Sequence, residues 1–171
     1  IADSCSLGDN GTIFAYGQTG SGKTFTIQGP TMQVNGEETL IGASNTGSKN
    51  HEMRGIMQRS FEYMFECMET QKTEAKQQGI EMQFLIKSSY LEIYNEQVMD
   101  LLDPSSFNLH VREDIKKGVY VESLLEETVT SVKDMMNLTT RGARNRHVGS
   151  TMMNKESSRS HSVLTTTIES K

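Results

Sequence analysis

Positive charge is not in excess in this sequence. Lys and Arg number 17 against 22 Asp and Glu, a net charge of −5. A mildly acidic chain lacks the basic face that nucleic acid needs, so no nucleic-acid partner is expected. Long apolar runs are missing too. No stretch reaches the roughly 18 consecutive apolar residues of a membrane helix, so no membrane partner is expected. There are only two cysteines, Cys5 and Cys67, too few for a disulfide framework or a zinc site built on thiolates. Two prolines beside 14 glycines exclude a collagen-like or Pro-rich chain. What remains, 35% hydrophobic and 23% charged residues in 171, excludes a disordered polyelectrolyte and suits one domain.

The ends suggest a piece of something longer. The chain opens on Ile1 with neither Met nor a signal peptide, and closes on a β-branched strand pattern from Ser162 to Lys171. Between them, Thr12–Tyr16 reads as a short buried strand that runs straight into a Gly-rich turn. Residues 29–50 show no period of 2 or 3.6 and read as a long exposed loop. A helix is expected from about Arg54. Met57, Phe61, Met64, Phe65 and Met68 share one face of it, and Gly79 is its stop. Met82–Tyr94 reads as a long strand. Asn95 is expected to cap a short helix through Leu102, ended by Asp103-Pro104. A hairpin is expected around Lys116-Lys117-Gly118. Ser131 and Asp134 form a weak capping box for a helix through Val132, Met135 and Met136 to about Arg144. Strands alternate with helices, which predicts an α/β fold: a central, mostly parallel sheet with helices on both faces.

Two patterns carry little. The eleven methionines fall mostly at core-facing helical positions, where packing accounts for them better than a metal site or a promiscuous groove. Asn10-Gly-Thr12 and Asn137-Leu-Thr139 match a glycosylation pattern without any secretory signal to support it.

Gly17-Gln18-Thr19-Gly20-Ser21-Gly22-Lys23-Thr24 matches the phosphate-loop pattern at every position. Glycines let successive backbone N–H groups turn onto phosphate oxygens with no Cβ in the way. Lys23 supplies a flexible charge for the β and γ phosphates, and Thr24 a hydroxyl for Mg²⁺. A helix starting here adds its positive end. The motif alone does not separate a motor from a kinase, a helicase or a GTPase. A second segment, Asn154-Lys-Glu-Ser-Ser-Arg-Ser-His161, crowds hydroxyls, Arg and His together without metal-ligand spacing. Beside a triphosphate its hydroxyls suit γ-phosphate or Mg²⁺ contact. Alone, it reads more readily as a polar surface loop.

The two segments carry a resemblance. Phe14-Ala-Tyr-Gly-Gln-Thr-Gly-Ser-Gly-Lys-Thr-Phe-Thr26 resembles the phosphate loop of kinesin motor domains. Asn145-Arg-His-Val-Gly-Ser-Thr-Met-Met-Asn154 with Glu156-Ser-Ser-Arg-Ser-His161 resembles their first switch loop. Tyr90–Gln97, Asp100–Pro104 and Val111–Val121 are similar to further kinesin signatures, so the likeness runs along nearly the whole chain. The wording around Asn108–Asp114 and Gly118–Glu122 is similar to the kinesin-12 subfamily.

The resemblance implies an incomplete motor domain over residues 1–171: an ATP-dependent microtubule motor with Mg²⁺ as cofactor. Gly17, Gln18, Thr19, Gly20, Ser21, Gly22, Lys23 and Thr24 inherit nucleotide binding. Phe25 either stacks on adenine or packs into the sheet. Ser157 and Ser158 inherit γ-phosphate sensing, with Thr24 and Ser158 at the metal, while Asn154 and Arg159 shape the closed loop. Lys116 and Lys117 fall in a hairpin that faces the microtubule in kinesins, or form a solvated turn. The N-terminal strands, the second switch, the main track-binding helix and the neck linker of kinesins have no counterpart here. Also implied are a dimer or higher assembly through a coiled coil elsewhere and a place on cytoplasmic microtubules, at spindle or phragmoplast for a kinesin-12. The alternative is a kinesin-like module that binds microtubules or nucleotide without turnover.

Overall fold

The computed structural model describes residues 4, 5, 7–34, 37–40, 53–115, 118–152 and 160–171. They fold as two units, one taking in residues 1–85, 130–137 and 169–171, the other residues 86–129 and 138–168.

In the first unit, helix α1 (Lys23–Gln28) begins where the sequence places it. Gly22 caps it in the left-handed region at φ 87°, and Gly29 closes it at φ 76°. Six residues make a marginal helix in isolation, so packing must hold it. The loop expected over 29–50 is partly ordered instead. Strands β1 (Thr31–Val34) and β2 (Glu37–Leu40) pair antiparallel, with Thr31 opposite Leu40 and Val34 opposite Glu37. Four-residue strands amid Gly and Asn leave too short a pattern to read. Residues 41–50 lie outside the described residues.

Helix α2 (Ile56–Gln77) follows. Phe61 and Met68 of its expected face are buried, and Met57, Met64 and Phe65 are half-buried. Its end is a Schellman motif: Gly79 at φ 75° donates to Lys76 O, and Ile80 N donates to Ala75 O.

Thr12–Tyr16 corrects the sequence reading. It joins no ladder among the described residues, and Phe14 and Tyr16 are 79% and 95% exposed. A β-strand exists only by pairing, and this segment pairs with no described strand.

The second unit is built on strand β3 (Phe84–Tyr94). It is buried almost continuously from Ile86 to Glu92, as expected of a strand covered on both faces. Strand β4 (Gln97–Asp100) folds back on it, pairing Leu91 with Asp100 and Tyr94 with Gln97. The helix expected after Asn95 is therefore a hairpin. Asn95 and Glu96 sit at φ 49° and 62°, the two-residue turn that matches strand twist, with Asn suited to its first place. Asp100 then fixes the next turn. Its buried carboxylate accepts from Leu102 N at 2.7 Å, Asp103 N at 3.2 Å and Leu125 N at 2.8 Å.

Strand β5 (Phe107–Leu109) extends the sheet beside β4. The expected hairpin is present as β6 (Val111–Asp114) against β7 (Gly118–Val121), and Lys116 and Lys117 lie outside the described residues. Strand β8 (Glu127–Val129) pairs with β3.

Helix α3 (Val132–Met152) starts on the expected cap, since Ser131 Oγ accepts from Asp134 N at 3.1 Å. It runs two turns beyond Arg144. Strand β9 (Ser160–Ser170) pairs with β3; Gln83 and Lys171 exchange both backbone bonds at 2.9 Å, the antiparallel pattern. The mostly parallel sheet is thus not what the described residues form: every strand pair among them whose register is given is antiparallel. Parallel pairing needs strands joined by long crossovers, and Thr12–Tyr16, which leads into α1, joins no ladder among the described residues.

Candidate functional site

Residues 17–24 form an open turn that ends in α1. Ser21 N donates to Gln18 O at 3.2 Å, and Thr26 N makes the first helical bond to Gly22 O at 2.8 Å. Three glycines hold the path at φ 153° (Gly17), 80° (Gly20) and 87° (Gly22), values a residue with a Cβ rarely adopts. A Cβ at Gly17 would also stand 2.5 Å from Ser21 Oγ, so that side chain would have to turn away.

Lys23 turns back over the loop. Its Nζ donates to Gly17 O and Gln18 O, each at 2.8 Å. An ammonium has three N–H donors, and two of them fix the loop's first carbonyls. Gln18, Thr19, Gly20, Ser21, Gly22 and Thr24 are exposed, while Gly17 and Lys23 are half-buried. Phe25 is 52% exposed, so its ring is not packed into a core.

The far end of α1 is anchored on α2. Gly29 and Gly55 meet backbone to backbone: a Cβ on Gly55 would lie 2.3 Å from Ile27 O, and one on Gly29 would lie 2.7 Å from Gly55 N. Gln58, 1% exposed, locks this crossing. Its Oε1 accepts from Gly55 N at 2.6 Å, and its Nε2 donates to Gln28 O at 2.8 Å. Sequence reasoning missed Gln58 because it read α2 by its apolar face. The Gly55-x-x-Gln58 spacing of a half capping box was the available signal.

Asn154, Ser157, Ser158 and Arg159 lie outside the described residues, but the elements that flank them are described. Arg146 on α3 pairs with Glu92 of β3 at 3.3 Å, donates to Ser162 Oγ at 3.1 Å, and reaches Ser160 O and Oγ at 3.3 and 3.0 Å. With Glu92 only 7% exposed, this pair is largely shielded from water. One residue earlier, Asn145 Nδ2 donates to Leu101 O at 2.7 Å. These bonds explain why α3 outlasts the expected stop at Arg144. No described helix is long and apolar enough to cross a membrane.

The family model described as "Kinesin motor domain" matches residues 1–171. The chain is 51% identical to the mouse "Kinesin-like protein KIF15" over 170 residues, which covers 99% of this chain and 11% of that protein. It is 48% identical over 171 residues to the rice "Kinesin-like protein KIN-12E", covering 100% of this chain and 8% of that protein. The chain thus spans about a tenth of the length of these curated relatives. Among solved structures, one titled "Structure of a fast kinesin: Implications for ATPase mechanism and interactions with microtubules" matches at a TM-score of 0.78 and 38% identity. That match covers 99% of this chain and 42% of that one. A phosphate-loop turn capped by α1, in a chain matched from end to end, leaves one assignment: the chain belongs to the kinesin motor domain family.

Proposed function

We propose that the chain is the nucleotide-binding and first-switch portion of an ATP-driven microtubule motor of the kinesin-12 type. The observation that carries this reading is the turn from Gly17 to Thr24, with its three positive-φ glycines and the Lys23 ammonium drawn onto the loop. Such a cradle fits phosphate oxygens, because no Cβ blocks the approach and a cation stands beside it.

Gly17, Gln18, Thr19, Gly20, Ser21 and Gly22 would line the phosphates, with backbone N–H groups other than that of Ser21, which donates to Gln18 O, turned onto them. Lys23 would place its charge on the β and γ phosphates. Thr24 and Ser158 would hold Mg²⁺, which neutralises charge as the γ-phosphoryl group leaves. Half-exposed Phe25 offers a ring face to the adenine. Ser157 and Ser158 would contact the γ-phosphate, with Asn154 and Arg159 shaping their loop. Phosphoryl transfer to water asks a protein mainly for positioning and charge stabilisation, and a loop that fixes the γ-phosphate oxygens beside the attacking water would supply both. Lys116 and Lys117 would face the microtubule. In the whole motor domain Thr12–Tyr16 would take its place as a strand of a larger, mostly parallel sheet. A coiled coil elsewhere in the protein would make it a dimer, working on cytoplasmic microtubules at spindle or phragmoplast.

The test is nucleotide binding and microtubule-stimulated phosphate release by an intact motor domain that contains residues 1–171. Tight Mg·nucleotide binding that Lys23→Ala abolishes supports the reading, and binding indifferent to Lys23 removes it.

A further inference from the structure

Helix α1 presents Lys23 and Thr24 at its start, yet it has only six residues and little stability of its own. Its orientation therefore depends on what grips its other end. Both backbone groups and side chains meet there. Gly29 leaves α1 at φ 76° and lies directly on Gly55, with no room for a Cβ on either. Gln28, the last residue of α1, is buried. Its carbonyl has left the helix's own bonding pattern, and Gln58 Nε2 supplies the partner at 2.8 Å. The other half of the same amide caps α2 through Gly55 N at 2.6 Å. One buried side chain thus joins the end of the phosphate-loop helix to the start of a 22-residue helix.

We propose that Gln58 is a positioning residue for nucleotide binding: its amide clasps α1 to α2 and so sets where Lys23 and Thr24 stand. The proposal rests on the nucleotide-binding reading of residues 17–24. Long helix α2 is the rigid member of the pair and short α1 the one that moves. Loss of the Nε2 bond removes the side-chain tie between the end of α1 and α2 and lets the other end of α1 shift. Shifts of a few tenths of an ångström at an ammonium matter for ligand affinity, because charge-assisted contacts are short and directional.

Two substitutions separate clasping from capping. Gln58→Met keeps length and helix propensity but removes both bonds. Gln58→Glu keeps an acceptor for Gly55 N and, when ionised, has no proton to give Gln28 O. Burial raises such a carboxyl's pKa, so at lower pH it regains a donor. The assay is equilibrium binding of a fluorescent Mg·ADP analogue to an intact motor domain containing this chain, at a temperature where circular dichroism shows each variant folded.

Gln58→Met should weaken binding about tenfold, the loss typical of one buried hydrogen bond. Gln58→Glu should bind nearly as well as the unsubstituted protein at pH 6 and progressively worse towards pH 8. The unsubstituted protein should show no such trend. A merely structural cap would give a stable Gln58→Glu variant whose affinity is the same at both pH values. That flat profile, or Gln58→Met binding within twofold of the unsubstituted protein, overturns the proposal. If Gln58→Met fails to fold, the Gln58→Glu profile decides alone. An unsubstituted domain that binds no nucleotide at all overturns the reading beneath the proposal instead.

Discussion

The ring of Tyr90 in β3 presses on Gly142 in α3 so closely that a Cβ at 142 would lie 2.1 Å from its Cδ1. Tyr90 is 1% exposed and has nowhere to withdraw. The glycine lowers α3's intrinsic helix stability by about 1 kcal/mol, and close packing on the sheet offsets that cost.

Gly142→Ala should therefore destabilise the protein, although alanine is the better helix former. Overpacking of about 1–3 kcal/mol outweighs the propensity gain of about 1 kcal/mol. Urea unfolding of the variant should show a lower midpoint at unchanged slope. A higher midpoint would show that the ring yields.

The cap of α3 is acid-sensitive. Bonds from Thr130 N and Oγ1, then from Ser131, hold the Asp134 carboxyl below its ordinary 3.8. A carboxyl depressed in the folded state stabilises above its unfolded value and loses that contribution as pH falls through its folded value. The cap should hold at pH 5 and give way only below about pH 4. Carboxyl-carbon NMR should place the Asp134 midpoint below 3.8, and Asp134→Asn should remove this part of the acid sensitivity. A midpoint at or above 3.8 would deny the bonds their effect.

Much of this architecture could be read from residue order. The apolar face of α2, its stop at Gly79, the long strand β3, the β6–β7 hairpin, the cap at Ser131 and the terminal strand all follow from local patterns. What could not be read has specific causes. Asn95-Glu96 makes a hairpin because β4 finds a partner in Leu91–Tyr94, a pairing that local propensity does not record. Thr12–Tyr16 has a strand's composition, but strand formation depends on a neighbour. The phosphate loop was legible because backbone geometry dictates its glycines. Gln58, Glu92 and Ser162 were not, since each acts through a residue 16 or more positions away: Gln28 for the first, Arg146 for the others.

Ser158→Ala in an intact motor domain should divide binding from turnover. A hydroxyl that meets the γ-phosphate mainly in the transition state contributes little to ground-state affinity. Nucleotide affinity should stay within about threefold while turnover falls roughly 100-fold or more, the scale of one lost transition-state donor. Equal losses in both would contradict the division of roles.

Residues 1–171 expressed alone should show no microtubule-stimulated hydrolysis. Phe14 and Tyr16 are 79% and 95% exposed on a segment that joins no ladder among the described residues, so association through it should compete with folding. Light scattering should detect it. A soluble monomer releasing phosphate in a microtubule-dependent way would show that the chemistry needs less of the domain.

The most direct test of the account is microtubule-stimulated phosphate release by an intact motor domain containing this chain, measured beside Lys23→Ala. Turnover that rises with microtubule concentration, and that vanishes together with nucleotide binding in the variant, is the predicted result. Nucleotide binding that depends on Lys23 but brings no turnover at any microtubule concentration would contradict it, and would make the chain part of a module that binds without acting.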